Sequence, residues 1–133
     1  MAKSILVVDD DPDARRILRA ALEGLCEVRE AANGSEALKL LSDRPSMILL
    51  DLTMPVLGGM EVLHAVRTAR GLVPVLILTS ERDLDTAKRA LELGASAYVT
   101  KPFDLQFLRD EVERLLSLKP KRADGDPPWR VSC

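Results

Sequence analysis

Short apolar runs alternate along this chain with stretches of helical periodicity. The runs at residues 5–8, 47–50 and 75–78 are uninterrupted, and each is followed by a polar or turn residue. Such runs are expected for strands that are buried on both faces of a parallel sheet. The run at 97–99 is a shorter example, whereas residues 26–29 alternate in polarity and predict an edge strand with one face in water.

The intervening stretches carry apolar residues at i, i+3, i+4 and i+7, which predicts helices. Pro12 favours the start of the first helix, Gly94 the end of the fourth and Asp104 the start of the fifth. The predicted apolar stripes are Ala14, Ile17, Leu18, Ala21 and Leu22; Ala37, Leu38 and Leu41; Gly59, Val62, Leu63 and Val66; Ala87, Ala90 and Leu91; and Leu105, Leu108, Val112 and Leu115.

This alternation of five strands with five helices predicts an α/β fold. The expected architecture is a flavodoxin-like, doubly wound, five-stranded parallel sheet of order 2-1-3-4-5 with helices on both faces. The helical pattern stops near Leu118, so we expect a folded domain over residues 1–118. Residues 119–133 are rich in proline and charge and predict a flexible tail.

Composition excludes several classes of protein. Aromatic residues make up 3% of the chain, which argues against an RNA-binding surface that stacks bases. The net charge of −2 gives no general attraction to nucleic acid or to anionic membranes, so we expect this chain to bind no nucleic acid directly and to insert in no membrane. Two distant cysteines and the lack of a signal peptide favour a cytoplasmic protein.

Polar residues stand at the carboxyl ends of four predicted strands. Asp9 and Asp10 follow the first strand, Asp51 follows the third, Thr79 ends the fourth and Lys101 follows the fifth. Functional crevices in doubly wound sheets lie at these strand ends. Because strands 1, 3, 4 and 5 are neighbours in the predicted order, we expect these side chains to converge on one pocket.

Three carboxylates in one pocket repel each other unless a cation compensates them. Mg²⁺, which prefers oxygen ligands and phosphate oxygens, is the natural candidate. A lysine and a hydroxyl in the same pocket would stabilise a transferring phosphoryl group. Asp51 follows a fully apolar strand at the centre of the array, and it is therefore the best candidate nucleophile for an acyl phosphate.

Four segments resemble a known family. They are ILVVDDDP (5–12), LLDLTMPVLGG (49–59), ILTS (77–80) and YVTKPF (98–103). In this order they resemble the receiver domain of two-component response regulators, and the resemblance covers about residues 3–118. Each segment alone is a weak signal, but all four in order, on matching elements, are a strong one.

The resemblance implies a phosphoacceptor and its metal ligands. Asp51 is expected to accept the phosphoryl group. Asp10 is expected to bind Mg²⁺ directly, Asp9 mainly through a bound water, and Thr53 through its backbone carbonyl.

The resemblance also assigns the residues that respond to phosphorylation. Thr79 is expected to donate a hydrogen bond to the phosphoryl group, and Lys101 to pair with a phosphoryl oxygen. Tyr98 matches the switch aromatic, whose ring turns inward when Thr79 moves. The peptide bond between Lys101 and Pro102 is expected to be cis.

The predicted function is a phosphorylation-activated signalling switch. It would take its phosphoryl group from a sensor histidine kinase or a phosphotransfer protein, and would catalyse only its own phosphorylation and dephosphorylation. The new charge would then change the affinity of the face formed by the fourth helix, fifth strand and fifth helix for a downstream protein. We expect either a single-domain regulator or the receiver of a longer response regulator.

Three other functions remain open at this point. A Mg²⁺-dependent phosphatase with an aspartyl-phosphate intermediate would want an acid at position 53, which is threonine. A flavodoxin-like FMN carrier would need a phosphate-binding loop where Asp9, Asp10 and Asp11 would repel phosphate. A receiver-like scaffold that takes no phosphate is the last alternative, and the complete acceptor set argues against it.

Overall fold

The computed structural model describes residues 3–54 and 58–117 of the 133-residue chain. The predicted tail at 119–133 lies outside the described residues, so its flexibility stays a prediction.

Five parallel strands form one sheet in the order β2-β1-β3-β4-β5, which confirms the predicted fold class. They are β1 (Ser4–Val8), β2 (Glu27–Ala31), β3 (Met47–Leu50), β4 (Val75–Thr79) and β5 (Ala97–Thr100). The predicted edge strand was placed one to two residues too early. Glu27 is the residue that pairs with Ser4, and Ala31 pairs with Val8 at the other end.

The described residues form five α-helices, of which the first four connect successive strands and the last follows β5: α1 (Pro12–Ala21), α2 (Gly34–Leu40), α3 (Gly59–Arg70), α4 (Leu84–Glu92) and α5 (Leu105–Ser117). A 3-10 turn at Leu41–Asp43 extends α2 and was not predicted. Short polar side chains cap the helix starts, as when Asp11 accepts from the Asp13 amide and Asp104 from the Phe107 amide. Within the described part of the chain, no helix is long and apolar enough to cross a bilayer.

The sheet separates two apolar layers. Strand residues at alternate positions point to opposite faces, so uninterrupted apolar runs supply both layers at once. One layer packs α2, α3 and α4 on the sheet and includes Leu6, Val8, Ile48, Leu50, Ile77, Val62, Leu63, Val66 and Ala90. The other packs α1 and α5 on the sheet and includes Ile5, Val7, Met47, Leu49, Leu76, Leu18, Leu22, Leu108, Val112 and Leu115.

Four residues of the predicted apolar stripes are exposed rather than buried, and the prediction was wrong for them. Their exposed fractions are 51% for Ile17, 36% for Leu38, 49% for Leu91 and 50% for Leu105. The four residues lie on α1, α2, α4 and α5, where the buried stripe is narrower than the predicted one, whereas the whole predicted stripe of α3 is buried. The edge of the stripe therefore stays in water.

Candidate functional site

The buried polar side chains of the described residues collect at one edge of the sheet. Asp9 follows β1, Asp51 follows β3 and Thr79 ends β4, and they are 2%, 5% and 0% exposed. Among the described residues they are the only buried polar or charged ones. Burying a charge is costly without compensation, so the two buried carboxylates at this edge need neighbouring groups that stabilise their charge.

Three carboxylates converge there. One oxygen each of Asp9, Asp10 and Asp51 lies within 4.8 Å of the other two. Asp10 is exposed and opens the cluster to solvent, whereas the Asp11 amide donates to Asp9 Oδ1 at 3.0 Å and holds that carboxylate. Clustered carboxylate oxygens, two of them buried, form a donor set that fits a hard divalent cation such as Mg²⁺.

Lys101 contributes a positive charge to the same cluster. Its Nζ lies 2.8 Å from Asp9 Oδ2 and 3.4 Å from Asp51 Oδ2. Partial burial alone would lower the pKa of Lys101, but the two carboxylates outweigh it and raise that pKa above its ordinary value. The Lys101 amide donates to Thr79 O at 2.8 Å, and the Lys101–Pro102 peptide bond is cis.

Asp51 is held as an ionised carboxylate. The amide and the hydroxyl of Thr53 both donate to its Oδ1 at 3.0 Å. Burial by itself would raise the pKa of Asp51. The hydrogen bonds from Thr53, the hydroxyl of Thr79 and the charge of Lys101 reverse that effect and hold the pKa below its usual range. At neutral pH the carboxylate is therefore available as a nucleophile.

Gly59 lets α3 begin against the Asp51 backbone. A Cβ on Gly59 would lie 2.4 Å from Asp51 O and 2.5 Å from Leu52 Cα, closer than real Cβ atoms come. The Gly59 amide donates to Leu52 O at 3.4 Å across the same contact. The close approach of α3 thus depends on the missing side chain and fixes the backbone that carries Asp51.

Hydrogen bonds join the loop between β4 and α4 to β5. Tyr98 Oη donates to Glu81 O at 2.9 Å, and Arg82 Nη2 donates to Lys101 O at 2.8 Å. The Glu81 amide donates to Thr79 Oγ1 at 3.3 Å. Burial, followed by the negative charges of Glu81 and Asp83, raises the pKa of Tyr98. The hydroxyls of Thr79 and Tyr98 are thus connected through the backbone of Glu81.

The structure brings together Asp9, Asp10, Asp51 and Lys101 as the sequence predicted, with Thr79 at the same sheet edge. It places Thr53 directly on Asp51 through its amide and hydroxyl, an interaction that was not foreseen; a metal-binding role for its carbonyl stays a prediction.

Sequence reasoning missed two arginines that touch the site residues. Arg15 Nη1 donates to Asp9 O at 2.7 Å, and Arg82 reaches Lys101 O. Both reach the site through a long side chain from another element. A basic residue in a helix or loop gives no signal of such a contact in the sequence.

Comparison with known proteins decides the family. The response regulator receiver domain matches residues 5–113. The chain belongs to this family. It is a receiver domain of two-component response regulators, as the four sequence segments indicated.

Relatives of two kinds share this receiver domain. Sporulation initiation phosphotransferase F of Bacillus subtilis is 36% identical over 90% of this chain and 98% of its own length. Regulatory protein AtoC of Escherichia coli is 39% identical over 90% of this chain, which spans only 26% of that protein. The transcriptional regulatory protein PrrA of Mycobacterium tuberculosis is 41% identical over 84% of this chain, which spans 49% of that protein.

Solved structures agree with the family. The chemotaxis protein CheY4 of Vibrio cholerae superposes with a TM-score of 0.80 and is 32% identical, covering 86% of this chain and 99% of that one. A CheY-like receiver domain protein of Methanospirillum hungatei superposes with a TM-score of 0.83 at 28% identity, covering 87% and 94%. The receiver fold is therefore shared along nearly the whole of both structures.

Proposed function

We propose that this receiver domain is a phosphorylation-activated switch whose phosphoacceptor is Asp51. The observation that carries the proposal is the state of that carboxylate, which is buried, ionised and within 3.4 Å of the Lys101 ammonium. The donor is a phosphohistidine of a sensor histidine kinase or a phosphotransfer protein. The receiver catalyses only its own phosphorylation and the later hydrolysis.

In the transfer, a carboxylate oxygen of Asp51 forms a bond to phosphorus while the P–N bond of the phosphohistidine breaks. The electron pair of that bond leaves with the imidazole nitrogen. Oδ1 is held by Thr53, and Oδ2 faces Lys101, so the ammonium lies where charge on the phosphoryl oxygens would develop. Because phosphoryl transfer depends mainly on positioning and charge stabilisation, these fixed groups are what the reaction requires.

Mg²⁺ is the cofactor that the acidic cluster fits. Asp9, Asp10 and Asp51, together with the carbonyl of Thr53, would hold it, with Asp9 acting mainly through a bound water. When bound, the ion neutralises charge on the phosphoryl oxygens. Lys101 adds a second positive charge, and the buried hydroxyl of Thr79 supplies a hydrogen-bond donor.

The switch would pass from Thr79 to Tyr98. Phosphorylation replaces the singly charged Asp51 carboxylate with an acyl phosphate that carries about −1.5 to −2 units of charge, and this charge attracts the Lys101 ammonium and the Thr79 hydroxyl. Glu81 is bonded to the hydroxyls of both Thr79 and Tyr98, so movement of Thr79 displaces the loop that carries the Tyr98 contact. We propose that the face of α4, β5 and α5 then changes its affinity for a downstream protein.

The two helices that border this face carry exposed apolar side chains. Leu84 and Leu91 on α4 are 79% and 49% exposed, and Phe107 on α5 is 51% exposed. Apolar surface of this kind is available for contact with a protein partner. The relative from Bacillus is covered by this chain almost completely, whereas the other relatives are longer, so the chain fits either a single-domain regulator or the receiver of a larger protein. We propose that it acts in the cytoplasm in either case.

Intact-protein mass spectrometry tests the proposal. The chain is incubated with Mg²⁺ and a small acyl-phosphate donor, with Asp51→Asn as the acceptor variant and Asp85→Asn, an exposed acid of α4, as the matched control. We expect one phosphoryl group on the wild type and on Asp85→Asn, none on Asp51→Asn, and none on any protein in the presence of a chelator.

Two results would overturn the proposal. One is a folded wild type that takes no phosphoryl group from the small donor or from a panel of phosphorylated histidine kinases. The other is equal phosphorylation of the Asp51→Asn variant, which would move the acceptor to another residue. Steady turnover of an unrelated phosphomonoester would favour the phosphatase alternative instead.

A further inference from the structure

Arg15 links the backbone of Asp9 to the neighbouring edge strand. Its Nη1 donates to Asp9 O at 2.7 Å, and its Nε donates to Glu30 Oε1 on β2 at 3.0 Å. The Arg15 side chain is only 16% exposed, so both contacts are largely shielded from water. A single guanidinium thus joins α1, the end of β1 and β2.

Glu30 anchors this link on its other oxygen. Arg19, one turn further along α1, donates to Glu30 Oε2 at 2.7 Å. The hydrogen bond from Arg19, and then that from Arg15, hold the pKa of Glu30 below its usual value against the effect of burial. Glu30 therefore stays ionised and keeps Arg15 in place at neutral pH.

We propose that Arg15 is a positioning residue of the acidic cluster, which fixes the Asp9 carboxylate for a divalent cation by holding the Asp9 backbone against Glu30. The inference rests on the proposed Mg²⁺ site. Asp9 is the first residue after β1, and its amide already donates to Ala31 O of β2 at 3.1 Å. With the carbonyl held by Arg15 and Oδ1 held by the Asp11 amide, both ends of the residue are constrained.

Charge and positioning predict opposite effects of removing Arg15. Removing a positive charge near three carboxylates should strengthen cation binding by electrostatics alone. Losing a contact that orients a metal ligand should weaken cation binding, typically by about tenfold or more. The sign of the change therefore separates the two explanations.

Arg19 provides the matched control. It shares Glu30 with Arg15, lies on the same helix and carries the same charge, but the structure records no contact between it and Asp9. The experiment compares wild type, Arg15→Gln, Arg19→Gln and Arg15→Lys by calorimetric titration with MgCl₂ alone, on unphosphorylated protein. Thermal unfolding of each variant, and its phosphorylation by a small acyl phosphate at saturating Mg²⁺, complete the set.

We expect Arg15→Gln to weaken Mg²⁺ binding about tenfold and Arg19→Gln to leave it unchanged or slightly stronger. Arg15→Lys, which has one ammonium for two distant acceptors, should recover binding only in part. Saturating Mg²⁺ should restore phosphorylation of Arg15→Gln, since Arg15 acts through the metal ligand. If Arg15→Gln does not fold, the Mg²⁺ affinities of Arg15→Lys and Arg19→Gln are compared instead, and the inference requires the weaker binding in Arg15→Lys.

The inference is overturned if Arg15→Gln binds Mg²⁺ as tightly as wild type or more tightly. It is overturned equally if Arg19→Gln weakens Mg²⁺ binding as much as Arg15→Gln does. The ion pairs with Glu30 would then explain the loss without the contact between Arg15 and Asp9. In both cases a wild type that binds Mg²⁺ and takes a phosphoryl group leaves the proposed function standing. A wild type that binds no Mg²⁺ overturns both the metal site and the role of Arg15.

Discussion

The Lys101 ammonium lies nearer to Asp9 than to the proposed acceptor Asp51, at 2.8 Å from Asp9 Oδ2 against 3.4 Å from Asp51 Oδ2. The lysine therefore occupies, in part, the place of a cation among the carboxylates. It compensates charge that would otherwise destabilise the fold, and it would compete with a metal ion for Asp9.

Replacing Lys101 with methionine should destabilise the metal-free protein and strengthen Mg²⁺ binding several-fold. The carboxylates lose their internal counter-charge, which lowers the free energy of unfolding, and the ion meets less competition. Thermal unfolding across a Mg²⁺ titration measures both effects. Lys39→Met, an exposed lysine of α2, is the control and should change neither. Weaker Mg²⁺ binding by Lys101→Met would contradict the competition.

The same lysine predicts a pH dependence. Its pKa is raised in the folded state, so its contribution to stability is fully present below the unfolded pKa of about 10.4 and is lost as pH rises through the folded pKa. The difference in unfolding free energy between wild type and Lys101→Met should be constant from about pH 7 to about pH 9 and shrink above about pH 10.4. Urea unfolding across this range tests it, and a difference unchanged at the highest pH would refute it.

Gly59→Ala should destabilise the protein by about 1–3 kcal/mol, the usual cost of forcing a methyl group into packed atoms. The new Cβ would meet Asp51 O and Leu52 Cα, both backbone atoms that cannot move aside cheaply. Gly58→Ala is the control one residue earlier, where the nearest atom is Glu61 Oε1 at an ordinary 3.6 Å. Denaturant unfolding should separate the two, and equal stability of both variants would show that α3 can shift away.

Tyr98→Phe removes the hydroxyl that bonds Glu81 O. The loss of one hydrogen bond costs about 0.5–1.5 kcal/mol, and it should appear locally as faster amide hydrogen exchange between Glu81 and Asp83. Phosphorylation of Asp51 by a small donor should persist, because the Tyr98 hydroxyl donates to Glu81 O and not to the acceptor. Unchanged exchange in this loop would mean that the Tyr98 contact does not hold it.

Apolar periodicity predicted the order of elements and the meeting of the site residues. A strand buried on both faces is apolar along most of its length, so the sequence shows β3 as the run 47–50 and β4 as the run 75–78. Parallel strands then bring their carboxyl ends to one edge, which places Asp9, Asp51 and Lys101 together by topology alone.

The sequence did not predict the exposure of residues at the margin of a helix face or the contacts made by long side chains. Ile17 sits in the right period but on the margin of the helix face, and only packing decides that it is 51% exposed. Arg15, Arg67 and Arg109 all donate to backbone carbonyls of other elements or loops, and Arg67 alone bonds Gly71 O, Val73 O and Gly94 O. Long side chains can reach many such groups, so the sequence does not specify which one is chosen.

The proposed site takes one residue or pair from the carboxyl end of each of four strands, and Asp9 and Lys101 are 92 positions apart in the chain. A fragment of the chain must therefore include all residues from Asp9 to Lys101 to contain the whole site. Local opening of any of these strands would disperse the charges before the rest of the domain unfolds. Acceptance of a phosphoryl group would then report cooperative folding of the whole sheet, and a destabilising substitution far from the pocket would lower the phosphorylated yield in proportion to the population it unfolds.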